Sequence, residues 1–315
     1  MPRITIISSL YNCLQYLEGF FTALDTILNK DELELLLIHN SPKDEELAVI
    51  GKYLPRFPFI KHVIVPREGL YATWNRGIQM ANSPYVTNWN VDDVRLPGSL
   101  VHQANALDRH KEAALAYGDF IIVDTYGKTT GRQMREPEFD ARNPTFMRQH
   151  HIGCFAMWRK EIHDQMGYFD EQFRLIADFD FQIRVAQQYP MVKIKEPLGY
   201  YLEGTPNNLS SNLSLQFMEL TALHVRYGNF NSLFLTDLVR GLLKIRVFQY
   251  KWSGAYHAMK PRSFKEKLSY MQRFPLIGVS IFNFPRHMAR KYLKPYLYKL
   301  YKRKNNAALS AAQQH

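Results

Sequence analysis

The chain has 315 residues, 46% hydrophobic and 22% charged, enough to bury a substantial core in one large domain or two smaller ones. Its two cysteines, Cys13 and Cys154, have neither metal-ligand spacing nor the density of a disulfide framework, which argues against thiol chemistry and a bridge-dependent fold. The net charge of +11 is unevenly placed: from Arg240 onward 17 Lys and Arg face the single acid Glu266, giving +16, and the first 239 residues carry −5.

Apolar periodicity alternates between strand and helix from the start. Residues 4–9 read as a buried strand, reached directly from Met1-Pro2-Arg3 with no signal-peptide pattern, and 14–28 as an amphipathic helix. A second strand follows over 33–38 and a second helix over 44–54, then a third strand over 60–65, a third helix over 70–81 and a fourth strand over 85–89. This series predicts an α/β fold: a largely parallel sheet with helices on both faces and a ligand crevice beyond the carboxyl ends of the strands. Tyr11-Asn12, His39-Asn40-Ser41 and Asn90 to Asp93 fall at such ends and are expected to converge on one pocket. The following stretch is more mixed, with strands over 114–123, 153–158, 191–194 and 197–202 and helices over 159–167 and 179–188. After Thr205-Pro206-Asn207-Asn208 the pattern turns helical and basic. The expected organisation is an α/β domain over 1–210, a basic, aromatic helical extension over 211–304 and a disordered Ala- and Gln-rich tail over 305–315.

Two acidic features carry chemistry. Asp92 and Asp93 stand at the tip of the fourth strand, and adjacent carboxylates there keep their charge only beside a cation or several donors. A site for a divalent metal and a diphosphate meets that need; so does a solvated turn capping the helix after Pro97. Asp178, with Asp180 two residues on, opens a helical pattern, as a general base or as a cap suited to the helix dipole. The basic end, with Arg246-Val247-Phe248-Gln249-Tyr250-Lys251-Trp252, suits an anionic membrane surface or a solvated helical face. It contains no nucleic-acid-binding motif.

Taken in order, several segments resemble the inverting family 2 glycosyltransferases of the GT-A fold, over roughly residues 3–210. They are Ile4 to Asn12 with Tyr16-Leu17, Leu36 to Ser41, Glu68 to Ile78 with Ala81 to Tyr85, the acidic loop, Tyr117-Gly118-Asp119 with Asp124 to Gly127, Met157 to Ile162 with Gly167 to Glu171, and Ala177 to Arg184. No single segment is specific; their collinearity is. The resemblance implies Mg²⁺ or Mn²⁺ at Asp92 and Asp93, Asp178 as general base, and a nucleotide-diphosphate sugar as donor. It further implies Tyr11 packing on the nucleobase with Ser9 presenting backbone groups, Asn75 and Arg76 reaching ribose or phosphate, and Asn90 accepting from a ribose hydroxyl.

His39 stands where many members carry an aspartate at the uracil ring, so a UDP-sugar is favoured less firmly than the fold alone suggests. Asn90 replaces the first Asp of the usual Asp-x-Asp. Glu203 stands near where members often offer a histidine to the metal, and Asp119 is read as an acceptor contact or a turn cap. The Gln-x-x-Arg-Trp motif of processive synthases is absent, implying a single addition. The expected activity is metal-dependent, inverting transfer of one sugar to a lipid-linked or surface glycan by a cytoplasmic protein, peripheral on the inner face of the plasma membrane. Its expected partners are the nucleotide sugar, the glycan acceptor and an anionic membrane surface, with no nucleic acid. The alternative is a non-catalytic nucleotide-sugar or glycan-binding partner of a transferase complex.

Overall fold

The computed structural model describes residues 1–143, 145–204, 212–228 and 235–259; the expected tail over 305–315 and most of the basic extension lie outside them. The chain forms two compact units, Met1–Ser211 together with Tyr250–His257, and Asn212–Gln249 together with Ala258–His315.

In the first unit β1 (Ile4–Leu10) and β2 (Leu33–Asn40) are buried on both faces, as expected of central strands in a parallel sheet. Helix α1 (Leu14–Thr26) lays Leu17, Phe20, Phe21 and Leu24 into the core at helical spacing. Then come α2 (Asp44–Tyr53), β3 (Ile60–Val65), α3 (Leu70–Met80), β4 (Tyr85–Asn88), β5 (Val94–Arg95) and α4 (Ser99–Arg109). They are followed by β6 (Leu115–Gly118), β7 (Phe120–Val123), β8 (Arg132–Met134), α5 (Thr145–Arg148), β9 (Met157–Arg159), α6 (Ile162–Met166), α7 (Ala177–Ala186), β10 (Met191–Ile194) and β11 (Gly199–Leu202).

Seven strands form the main sheet in the order β10-β6-β9-β4-β1-β2-β3. All pairings are parallel except those of β9, which runs antiparallel between β4 and β6. The carboxyl ends of the six parallel strands therefore share one edge, and the segment Cys154 to Ala156, leading into β9, arrives there too. A second sheet, β5-β11-β7-β8, holds the continuation of the β4 loop: β5 runs antiparallel to β11, with Val94 opposite Tyr200 and Arg95 opposite Gly199.

The strand expected over 114–123 divides at Asp119, so β6 stays in the main sheet and β7 joins the second. Asp119 is buried at the break, accepting from Glu136 N at 2.9 Å and pairing with Lys193 Nζ at 2.9 Å, which provides the partners a buried carboxylate requires. The strand expected over 153–158 is ordered as β only from Met157 to Arg159. Around it Trp158, His163, Phe169 and Phe181 pack ring against ring.

In the second unit α8 (Leu213–Tyr227) starts with the Asn212 side chain accepting from Leu215 N at 3.1 Å. It stops at Gly228, whose φ of 73° is the left-handed helix stop that glycine tolerates best. Helix α9 (Leu235–Lys244) brings Gly241 against α8, where an added Cβ would stand 3.2 Å from Met218 O. The helical pattern expected to run on is interrupted by a hairpin, β12 (Gln249–Trp252) and β13 (Ala255–Ala258). Ser253 and Gly254 both take positive φ, 50° and 75°, as a tight two-residue hairpin turn requires. Residues 250–257 of this hairpin belong to the first unit, where Lys251 N and Ser253 N donate to Asp170 Oδ1 at 3.0 Å and Glu171 Oε1 at 3.1 Å.

Burial pushes His163 and His224 down to about 4, so both fold as neutral rings. As pH drops below about 6.5 the unfolded chain takes up protons that the folded chain refuses, and stability falls by roughly 2 kcal/mol per histidine by pH 5. Glu34, held at about 2 by Lys61 and Thr5 against the effect of its burial, loses its contribution only below its ordinary value of 4.5. The raised Asp92 and Asp93 carboxyls act in the opposite sense as pH falls, so the test is differential: between pH 7 and pH 5 the Tm of His224→Gln should fall less than that of the wild type, and equal falls would contradict the burial of His224 as a neutral group.

Candidate active site

The acidic loop leaves β4 at Trp89, whose N–H still bonds Ile7 O at 3.0 Å and whose indole donates to Asp93 O at 3.0 Å. A turn from Asn90 O to Asp93 N at 3.0 Å then reverses the chain into β5. Asp93 is buried, with Oδ1 accepting from Leu202 N on β11 at 3.3 Å and Oδ2 from Asn90 Nδ2 at 3.4 Å. Asp92 remains partly open. Burial raises both carboxyls, and the Asp92 charge raises Asp93 further.

Behind them lies the buried Arg95. Its guanidinium donates to Gln103 Oε1 at 3.0 Å, Thr87 Oγ1 at 2.5 Å, Asn88 O at 2.9 Å and Phe155 O at 3.3 Å. Burial lowers it to about 10 and the Asp93 charge works the other way, so it stays protonated and offsets one carboxylate. Tyr126, from the β7–β8 connection, lies 5.3 Å ring to ring from Tyr16. Its hydroxyl is buried without a hydrogen-bond partner; burial raises its pKa, with Asp92 and Asp93 adding to the effect. Asn88 Oδ1 is likewise buried and unpartnered. Two carboxyls against one arginine, with unmatched oxygens around them, suit a hard divalent cation held through oxygen ligands.

The other expected donor-site residues divide into rim and interior. Tyr11 is 45% exposed after β1, with the Arg67 guanidinium 3.6 Å from its ring centre. Asn12 and Ser41 turn their strands' ends with positive φ of 48° and 43°, and Ser9 is half-buried in register with Ile38. Arg76 is exposed and chelated by Glu68 at 3.0 and 2.8 Å.

Asn75 is interior. It donates to Phe169 O at 2.9 Å and Glu171 Oε1 at 3.0 Å and accepts from Phe169 N at 2.9 Å, clamping α3 to the 169–171 segment and leaving its amide turned away from the rim. His39 is interior too, fully buried, with one ring nitrogen 3.2 Å from His62 Nε2 and the other 3.3 Å from Glu46 Oε2. Burial lowers the pKa of both histidines. Cys13, His39 and Glu46 have their ligand atoms within 4.8 Å of one another. Glu46 is already committed, accepting from Cys13 N at 2.6 Å and Lys43 N at 3.1 Å, so the group forms a satisfied polar core under the carboxyl ends of β1 and β2.

Asp178 opens α7 and is partly exposed. Its Oδ1 accepts from Phe179 N at 2.9 Å and from the Tyr71 hydroxyl on α3 at 3.2 Å, and His150 Nε2 approaches Oδ2 to 3.8 Å. Two oriented donors and a nearby imidazole leave a carboxylate aimed and still able to accept a proton. Arg184 pairs with Asp180 at 2.9 Å, inside the protein. Glu203 is exposed, 3.8 Å from Arg132.

Arg95 and Arg67 carry no role in the sequence reading, and Tyr126 enters it only within the Asp124 to Gly127 segment, with no role of its own. The spacing of Asp93 and Arg95, two residues apart on an extended segment, was the one available signal, because it places both on one face.

The strand order and acidic strand-end loop are those of a GT-A glycosyltransferase. The fold is similar to that of S. aureus TarS, solved with UDP-GlcNAc, at a TM-score of 0.59 and 17% identity over 76% of this chain and 71% of that one. It is also similar to the mannosyltransferase PcManGT from Pyrobaculum calidifontis, solved with GDP-Man and Mn²⁺, at 0.53 and 14% over 77% and 68%. Residues 5–167 match Glycosyl transferase family 2, and the chain belongs to that family. Among its relatives are a PGL/p-HBAD biosynthesis glycosyltransferase of Mycobacterium bovis, 26% identical over 58% of this chain and 69% of the relative. Another is the glycosyltransferase MJ1057 of Methanocaldococcus jannaschii, 22% identical over 68% and 76%.

The clamp at Asn75 is testable by stability alone. Asn75→Ala strands buried backbone groups of Phe169 and should cost about 1–3 kcal/mol in urea or thermal unfolding. An unchanged midpoint would show that those bonds hold nothing in place.

Proposed function

We propose that this glycosyltransferase moves one sugar from a nucleotide-diphosphate sugar to a lipid-linked or surface glycan with inversion, in a reaction that depends on Mg²⁺ or Mn²⁺. The observation that carries the reading is the pair of carboxyls at Asp92 and Asp93, raised by burial and matched by one arginine, at the carboxyl edge of a GT-A sheet. Asp92, the more open of the two, would be the principal metal ligand, with Asp93 holding the loop and closing the site from behind. The ion, when bound, neutralises the diphosphate as it leaves.

The protein's residues supply the rest. Tyr11 and Arg67 offer an aromatic and cationic surface for the nucleobase, and Ser9 and Asn90 line the way to the ribose. The UDP-GlcNAc bound to TarS and the GDP-Man bound to PcManGT make either nucleotide reasonable; a uridine donor is the first to try. With His39 buried, base choice falls on the rim. Asn75 positions the 169–171 segment and Arg76 steadies the start of α3 through Glu68.

At the acceptor, Asp178 takes the hydroxyl proton as the new glycosidic bond forms and the bond from the anomeric carbon to the diphosphate oxygen breaks. Tyr71 and the start of α7 fix the carboxylate for that transfer. Among the described residues no helix is long and apolar enough to cross a membrane. The +16 charge from Arg240 onward supports peripheral attachment to an anionic, cytoplasmic membrane face.

A panel of nucleotide sugars assayed with and without Mn²⁺ tests the donor. Asp92→Ala and Asp178→Asn should each lower transfer by about 10²–10⁴-fold, Asp178→Asn with donor binding intact. Wild-type turnover in both variants would overturn the assignment.

A further inference from the structure

The surface over residues 239–248, in the second unit, is not used by the transfer chemistry. On α9, Asp237 and Gly241 are buried one turn apart, with Gly241 closed against Met218 and Ala222 of α8. The opposite side exposes Val239 at 51%, Leu242 at 44% and Leu243 at 81%. Past the helix the chain alternates, with Ile245 and Val247 inward and Lys244, Arg246 and Phe248 outward, Phe248 at 53%. Large apolar side chains thus stand exposed within ten residues, interleaved with the exposed cations Arg240, Lys244 and Arg246. The one acid of the stretch, Asp237, is on the inner side.

We infer that this edge is an in-plane membrane anchor, with Val239, Leu242, Leu243 and Phe248 entering the boundary between headgroups and acyl chains of an anionic bilayer while Arg240, Lys244 and Arg246 meet the lipid phosphates. The chemistry is that of interfacial helices: apolar burial supplies one part of the binding and attraction to acidic headgroups the other. Charge complementarity selects the occupant. The exposed charges of this edge are all cationic, Arg240, Lys244 and Arg246, which suits an anionic surface. The inference rests on the membrane part of the proposed function and is independent of the donor chemistry.

Co-sedimentation of the full chain with phosphatidylcholine vesicles, with and without phosphatidylglycerol, tests it at low and high salt. Binding should require the anionic lipid and weaken with salt without vanishing, because the apolar contribution is not screened. Leu242→Ser combined with Leu243→Ser should lower vesicle binding at least tenfold, and Lys244→Gln combined with Arg246→Gln should flatten the salt dependence. Both double variants should keep wild-type donor hydrolysis, since these side chains lie outside the catalytic residues, and the serine variant should keep the wild-type Tm, since Leu242 and Leu243 are exposed. Wild-type vesicle binding by the serine variant, equal binding to neutral vesicles, or capture by an acidic polypeptide with none by vesicles would each overturn the anchor. Vesicle binding as expected with no turnover of any donor would overturn the transfer reading and leave the anchor standing.

Discussion

A permanent charge buried at Arg95 organises the catalytic end of this protein. Removing a guanidinium from water is costly unless its donors are matched and a counter-charge is near; here α4, β4 and the approach to β9 supply acceptors to its two terminal nitrogens, Nε is buried without a partner, and the Asp93 charge favours the cation. The matching works in both directions. Asp93 can stay buried because Arg95 is beside it, and the Asn90–Asp93 turn has little freedom because Asp93 is also tied to Leu202. What remains unmatched is Asp92, the carboxyl turned toward the open side.

The contrast between rim and interior follows from the same economy of partners. His39 and Asn75 occupy positions at the strand ends or on the helix facing them, where a ligand contact is a fair expectation. Each instead satisfies its polar atoms inside the protein, His39 with His62 and Glu46, Asn75 with Phe169 and Glu171. Tyr11 and Arg67 cannot do this at the surface, and they stack on each other. On the proposed function, donor recognition falls to these exposed side chains rather than to the buried ones.

The α/β alternation of the first ninety residues was legible because strands buried on both faces and helices with one apolar stripe leave different periodicities. The acidic loop and Asp178 were legible from residue type and position. Side-chain direction was not: whether an amide at a helix position faces ligand or neighbour depends on segments far away in sequence, such as Phe169 against Asn75. The division of 114–123 into two strands was hidden because the run is apolar throughout, and only the partners of Asp119, Glu136 and Lys193, reveal the break. The hairpin at 249–258 was masked by basic and aromatic composition that reads equally well as helix, although Ser253-Gly254 is a turn signal.

The short pairing of β5 with β11 holds one end of the acidic loop, whereas Tyr11, Arg67 and Tyr126 stand on separate loops outside that pairing. Exchange of those three side chains therefore removes none of the backbone bonds that hold the loop. The acids are thus set by backbone pairing and a buried arginine, so that two residues of β5 decide where a charge can be held without deciding what it meets.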